Sequence, residues 1–308
     1  SKAATNKANW QEKAALFASG PKPSVAVLGA GIAGLCVAYE LKKAGFPVTV
    51  IEPRDRPGGR SHTLRAGSVL QETDSQQVCG FASGEDMYFN AGPARISQHH
   101  ANLLNYCSEL NVPLQAFVND NRGAYIHSAS AFGGKPVRAR EVIAAMRGNI
   151  SQLLAKSLNA GALDDEFTAG ERAFVLAVLK DHGALNDFFQ FTGTTRGGLA
   201  ARSGGLSPDV PATPLERNDV MLDANIAFVP SFVESYNQAA TMMQPVGGMD
   251  RIAYAFAEQL RAEIFYGAEV SGIFRTGTGV RIEGRTATEQ GALETDYVVV
   301  TIPPSVLR

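Results

Sequence analysis

The 28 residues from Val25 to Glu52 constrain the chain more tightly than any other stretch. Val25–Leu28 is an apolar run short enough for a buried parallel strand. Gly29, Gly31 and Gly34 spell G-x-G-x-x-G, helical periodicity runs from Ile32 to Ala44 and stops at Gly45, and Val48–Ile51 is a second apolar strand ending at Glu52. Chemistry explains the spacing. Gly29 permits a tight turn, Gly31 lets backbone approach a pyrophosphate, and Gly34 lets helix and strand pack closely. The helix N-terminus, at Ile32 and Ala33, offers unpaired N–H donors and a positive dipole end to phosphates. Glu52 can accept hydrogen bonds from a ribose hydroxyl pair. A glycine fingerprint alone is weak; with both strands, the helix and the acid in place it reads as a dinucleotide-binding βαβ unit.

Immediately downstream stands Pro53-Arg54-Asp55-Arg56-Pro57-Gly58-Gly59-Arg60-Ser61. A second glycine pair followed by arginine suits a loop folding back over further phosphates. This E-x-x-x-x-x-G-G-R pattern resembles the flavin-containing amine oxidase superfamily, which includes monoamine, polyamine and L-amino acid oxidases. The resemblance implies non-covalently held FAD, with Pro53, Arg54, Gly58, Gly59 and Arg60 among its contacts. It also implies an α/β fold in which a Rossmann-type FAD domain interleaves with a helical or mixed substrate domain, the GR2-like arrangement. No cysteine stands in a recognisable flavin-linking context.

A second segment sharpens the resemblance. In Tyr88-Phe-Asn-Ala-Gly-Pro-Ala-Arg-Ile-Ser-Gln-His-His100, small residues allow something flat to approach, Pro93 stiffens the turn, and Arg95 is expected to project at the start of a helical stretch. The segment resembles the G-[AP]-M-R-[FLIV]-P stretch of L-amino acid oxidases, with Ala94 for the usual Met and Ser97 for the usual Pro. In that group the backbone, here Gly92, Pro93 and Ala94, runs beside the isoalloxazine, and the arginine grips the substrate carboxylate. A planar guanidinium fork suits bidentate pairing with a carboxylate. Read without the family, Arg95 would cap a helix or pair with an internal acid. Further on, Gln244-Pro-Val-Gly-Gly-Met-Asp-Arg251 resembles the family's P-x-G-G-M-[DS] turn, and Val270 matches the strand position that holds the adenine through its backbone. Asn119–Ile126 looks like a short strand of the substrate domain.

The implied reaction is oxidation of an L-α-amino acid by O2 to a 2-oxo acid, ammonia and hydrogen peroxide. Alternatives are an amino acid 2-monooxygenase, which decarboxylates to an amide, and a non-catalytic FAD-fold subunit. The flavin carries the hard step, so no Ser-His-Asp set or metal cluster is needed, and none is visible. His99 and His100 follow Arg95 and read best as a solvated helix start; His127 and His182 carry no motif. Phe188, Phe189, Phe191 and Tyr236 could wall a pocket but read better as core. Arg196 and Arg202 in the glycine-rich loop 192–205 could favour an acidic side chain, though loop arginines are usually solvated. Substrate identity is not legible.

Composition fits this class. The 308 residues are 45% hydrophobic and 19% charged, enough for a large core. A net charge of −2, from 28 basic and 30 acidic residues, gives no sign of nucleic-acid binding. No apolar run approaches the roughly 20 residues of a membrane span, and no signal peptide is visible, which slightly favours the cytoplasm. The sequence starts without Met, so a processed start is open. Three cysteines, Cys36, Cys79 and Cys107, show no metal-ligand spacing.

The expected organisation is an N-terminal helix within 1–20, a first FAD-domain part over 21–97, a helical substrate domain over 98–240 and a second FAD-domain part over 241–308. Helices are expected at Ala101–Leu110, Arg138–Leu158, Ala169–His182 and Arg251–Arg261. Strands are expected at Glu269–Arg275, Gly279–Glu283 and over Asp296–Ile302, before Pro303-Pro304. In the family that last strand lies mid-protein. The resemblance therefore implies a second polypeptide supplying the C-terminal half, expected to come from the same precursor cut after Arg308, in a hetero-oligomer.

Overall fold

The computed structural model describes residues 10, 22–72, 74–84, 86–163, 165–201 and 204–307. The helix expected within residues 1–20 lies outside the described residues except for Trp10, which is buried edge-on against Phe265. The chain forms two compact units: residues 1–117 with 243–308, and residues 118–242.

The first unit opens with β1 (Val25–Leu28), α1 (Ile32–Lys43) and β2 (Val48–Glu52). Four short strands follow: β3 (Thr63–Arg65), β4 (Val69–Gln71), β5 (Gln76–Val78) and β6 (Tyr88–Asn90). Then come α2 (Ala101–Glu109) and β7 (Leu114–Phe117). The second unit holds β8 (Tyr125–Ile126), β9 (Val137–Arg138), α3 (Ala139–Asn159), α4 (Ala169–Gly183), α5 (Arg217–Met221) and α6 (Ala224–Phe232). After β10 (Met242–Pro245), the first unit resumes with α7 (Asp250–Gln259), β11 (Ile264–Tyr266), β12 (Glu269–Arg275), β13 (Val280–Arg285), β14 (Gln290–Thr295) and β15 (Tyr297–Val300).

A parallel sheet of order β11-β2-β1-β15 is the frame of the first unit. Its two central strands are buried at every position, which is why they read as unbroken apolar runs rather than alternating ones. Register is direct: Val25 lies opposite Val48 on one side and Tyr297 on the other. Leu35 and Ala38 of α1 pack with Ile252, Ala253 and Phe256 of α7, where Tyr39 meets Phe256 edge-on at 5.5 Å. Full burial of a side chain such as Phe256 contributes about 1.5–3 kcal/mol. Behind the sheet, Ala26, Leu28 and Ile51 pack with Phe265 of β11 and with Ile282 and Leu293 from the antiparallel sheet β12-β13-β14.

Residues 98–117 belong to this first unit rather than to the helical one, because α2 buries Cys107 in the α1–α7 core and sets Tyr106 5.1 Å from Phe256. Only Tyr125–Ile126 of the expected 119–126 strand pairs, with β9. The antiparallel strand β14 went unread, as did the pairs β3–β6 and β4–β5.

In the second unit, α3 and α4 pack through Ala155, Leu158 and Leu179. The start of α4 is set by reciprocal bonds between Thr168 and Glu171. Phe191 packs so closely on α3 that a Cβ on Gly148 would meet its ring at 2.2 Å. Phe188 and Tyr236 are instead exposed, at 82% and 71%, so neither is core. No helix among the described residues is long and apolar enough to cross a membrane.

Candidate cofactor and substrate site

The three glycines of the first turn do different work. Gly29 has φ +102°, which favours glycine, and its N–H donates to Ile51 O at 2.8 Å. At Gly34 a Cβ would meet Gly29 O at 2.0 Å, so glycine there is a packing requirement of the protein itself. Gly31 is the opposite case. Its backbone is extended (φ −69°, ψ 171°), and a Cβ there would meet no protein atom within 4 Å. Nothing among the described residues demands a glycine at 31; a Cβ there would project into open space. The N–H groups of Ile32 and Ala33 precede the first intrahelical bond, Leu35 N–H to Gly31 O, and leave the helix start donor-rich.

The second glycine loop folds onto the first. Gly58 N–H donates to Ala30 O at 2.7 Å, and Gly31 and Gly58 form a parallel bridge. Both Gly58 (φ +97°) and Gly59 (φ +54°) lie in the left-handed region. Arg56 holds the loop from inside, donating to Pro57 O at 3.3 Å and Gly59 O at 3.1 Å. Burial, and then the neighbouring Arg54 charge, pull its guanidinium below its ordinary pKa. Arg54, Pro53 and Arg60 are exposed at the rim.

Glu52 sits at the end of β2, 3% exposed. One carboxylate oxygen accepts Ala30 N–H at 2.8 Å and the other Arg54 N–H at 3.1 Å. The acid therefore joins the first turn to its own strand end. Each oxygen retains a lone pair for a further donor. Ala268 N–H donates to Glu52 O, which places the turn into β12, and Val270 at its start, next to the same strand end. Val270 pairs with Gly284, and its side chain packs against the core.

The Tyr88–His100 segment is tied to the glycine loop by backbone. Ala91 N–H donates to His62 O at 2.9 Å, and a Cβ on Gly92 would lie 2.1 Å from Arg60 O. Arg95 does not begin a helix as expected. Ile96 instead forms an isolated bridge with Met243 (2.7 and 2.9 Å), and α2 starts only at Ala101, with His100 at its N-cap. Residue 95 thus lies outside any helix and directly precedes the backbone-anchored Ile96. Its side chain is half-buried and has no hydrogen-bond or ion-pair partner among the described residues. It neither caps a helix nor pairs with an internal acid.

A polar hub links these parts. Asn90 Oδ1 accepts from Thr63 Oγ1 at 2.8 Å and from Met249 N–H at 3.0 Å. Arg65 forks onto the buried Asp250 carboxylate at 2.8 and 2.9 Å. That pairing raises the Arg65 pKa above its ordinary value. His62, just before β3, is pushed below 6.5 by burial and then by the Arg56 charge. Sequence reasoning missed Arg56, Thr63, Asn90 and the Arg65–Asp250 pair. Thr63, Asn90 and the Arg65–Asp250 pair do their work across chain separations that no local pattern spans, whereas Arg56 acts locally, on Pro57 O and Gly59 O, and carries no motif of its own. Thr301 was also missed; its hydroxyl bonds Leu28 O at 2.8 Å behind the glycine turn.

A flavin-containing amine oxidoreductase family model matches residues 32–308. The chain belongs to that family. It is 28% identical over 313 residues to the Bacillus subtilis (strain 168) protein named "Putative L-amino-acid oxidase YobN", covering 95% of this chain and 58% of that relative. It is 27% identical to the flavin-dependent L-tryptophan oxidase RebO of Lentzea aerocolonigenes, covering 92% and 59%. Against L-amino acid oxidase bordonein-L of Crotalus durissus terrificus, identity is 24% over 92% and 51%. The chain thus spans a little over half the length of the relatives it matches. The family implies a flavin cofactor, and the residues here fit one: open space at Gly31, helix-start N–H donors without a backbone partner among the described residues, an acid at the second strand end and basic side chains at the rim.

Proposed function

We propose that this chain carries the FAD-binding and carboxylate-recognising part of an oxidase that converts an L-α-amino acid to its 2-oxo acid, ammonia and hydrogen peroxide. The observation that carries this reading is Arg95: a half-buried guanidinium with no partner among the described residues, next to the anchored Ile96 and on the segment tied to the second glycine loop. A primary amine lacks the carboxylate that such a group would grip. When bound, FAD would accept the α-hydrogen as hydride and pass the electrons to O2. Arg95 would hold the substrate carboxylate and thereby orient the α-carbon. Gly92 would bring the backbone close enough to flank a flat ring. Gly31, Ile32 and Ala33 would bind the pyrophosphate, Glu52 the ribose, Arg54, Gly58, Gly59 and Arg60 the remaining phosphate surface, and the β12 backbone at Val270 the adenine.

FAD in this reading is held without a covalent bond. Cys107 lies in the core with its thiol pushed up by burial, so it is a poor nucleophile. The catalytic unit is completed by sequence beyond these 308 residues. Supporting this, β15 is an edge strand of the parallel sheet with Tyr297 61% exposed, and the match covers only 58% and 51% of two of the relatives. We place that remainder on a second polypeptide from the same precursor.

The test is a peroxide-coupled screen of L-amino acids with the whole purified enzyme. It should find at least one substrate that yields stoichiometric 2-oxo acid and ammonia. An amide with CO2 in their place would make the enzyme a monooxygenase, and a coloured protein inert to every amino acid would remove the reading.

A further inference from the structure

The second unit contains a cleft that the reaction above does not use. It encloses about 80 Å³ between α3, the end of α4 and the 194–197 turn, and is lined by Arg122, Arg140, Arg147, His182, Thr194 and Arg196 among others. Four guanidiniums and an imidazole converge there, and no carboxylate-bearing residue lies on its wall. Composition does not explain this, because the chain as a whole has slightly more acids than bases.

Structural duties occupy only part of these donors. Arg196 donates through Nη1 to Asp181 O at 3.2 Å and His182 O at 3.0 Å, capping the C-terminal end of α4. Arg122 Nε meets Asp120 at 3.2 Å, and Arg140 Nε reaches Arg122 O at 3.4 Å. Arg147 has no partner among the described residues. Each guanidinium carries five N–H donors, so most of the donor capacity around the cleft is unspent.

We propose that this cleft is an oxyanion site, taking a small ligand with at least two negative charges, of which orthophosphate is the simplest form. Size supports it: at roughly 10–15 Å³ per water-sized group, the space holds about five to eight such groups, and orthophosphate has five heavy atoms. Chemistry supports it too, because planar forks from several directions match a tetrahedral oxyanion better than a lone ammonium would. A bound oxyanion would also relieve the repulsion among four like charges. The lining residues all belong to the second unit, and none of them is assigned to the amino acid or to FAD above.

The experiment uses the flavin-loaded whole enzyme, so that the dinucleotide phosphates already fill their own site. Equilibrium dialysis against radiolabelled orthophosphate, with chloride matched for ionic strength, should show saturable binding of one anion per chain. Arg147→Gln and Arg140→Gln should each weaken it by about tenfold, the loss of one charge-assisted contact, with flavin content unchanged. Hydrogen exchange of the wild-type enzyme should show phosphate-dependent protection at 139–148 and 182–197, a readout that does not depend on the variants folding. No saturable binding, protection elsewhere only, or binding equal in folded variants and wild type would each overturn the proposal.

Discussion

At the residue scale, Gly31 and Gly34 sit three positions apart and predict opposite phenotypes. Gly34→Ala places a methyl 2.0 Å from Gly29 O. It should destabilise the protein with or without cofactor by on the order of 1–3 kcal/mol, read as a lowered Tm. Gly31→Ala meets no protein atom and keeps an ordinary φ, so apoprotein stability should move by less than about 0.5–1 kcal/mol. Its flavin content should collapse. Equal Tm losses in the two variants would show that Gly31 serves packing rather than a ligand. Arg95→Lys and Arg95→Ala should keep the flavin and lose kcat/KM for amino acids by well over tenfold, since losing one partner of a charged hydrogen-bonded pair costs about 2–5 kcal/mol. His62 gives the pH dependence. Its pKa is depressed in the folded state, so the unfolded chain binds the extra proton and stability falls as pH drops below about 6.5. Thermal melts at stepped pH should show that slope, and His62→Gln should flatten it.

At the scale of elements, the ion pair between Arg65 on β3 and Asp250 at the start of α7 fixes the helix that backs the glycine loop. Asp250→Ala leaves Arg65 without its carboxylate and should cost about 2–3 kcal/mol, the lower end for a buried pair because Arg65 is one-third exposed. Urea denaturation would measure it, and no change in the midpoint would refute the role. The βαβ unit was legible because each of its parts has a local cause: apolar runs for buried strands, glycines for turn and close approach, Gly45 for the helix stop. Strand Glu269–Arg275 was legible from its Val, Ile and Phe, although none of its residues is buried, and helices Ala139–Asn159 and Ala169–Gly183 followed from their periodicity. Strand β14 escaped because Gln290–Thr295 has mixed polarity and is held by pairing with β13. Arg95 was expected at the start of a helical stretch; the Ile96–Met243 bridge, set by residues 147 positions apart, holds the chain there instead.

For the whole molecule, the division at 117/118 and 242/243 means that the cofactor cradle is assembled from two separated stretches of chain, and no single window of sequence contains it. If the remainder of the catalytic unit lies on a second polypeptide, denaturing mass spectrometry of the active, flavin-bearing enzyme should show a species beyond the chain's 32.7 kDa. Full activity from a single species of that mass would disprove the idea. The central claim is a flavin oxidised enzyme that selects its substrate by a carboxylate held at Arg95. The most direct measurement is an anaerobic titration of the purified enzyme, following flavin absorbance, with an L-amino acid identified in the peroxide screen and then with its decarboxylated amine. The account predicts bleaching by the amino acid, none by the amine at the same concentration, and loss of bleaching in Arg95→Ala with the flavin still bound. Equal bleaching by the amine, or an Arg95→Ala enzyme reduced as readily as the wild type, would contradict it.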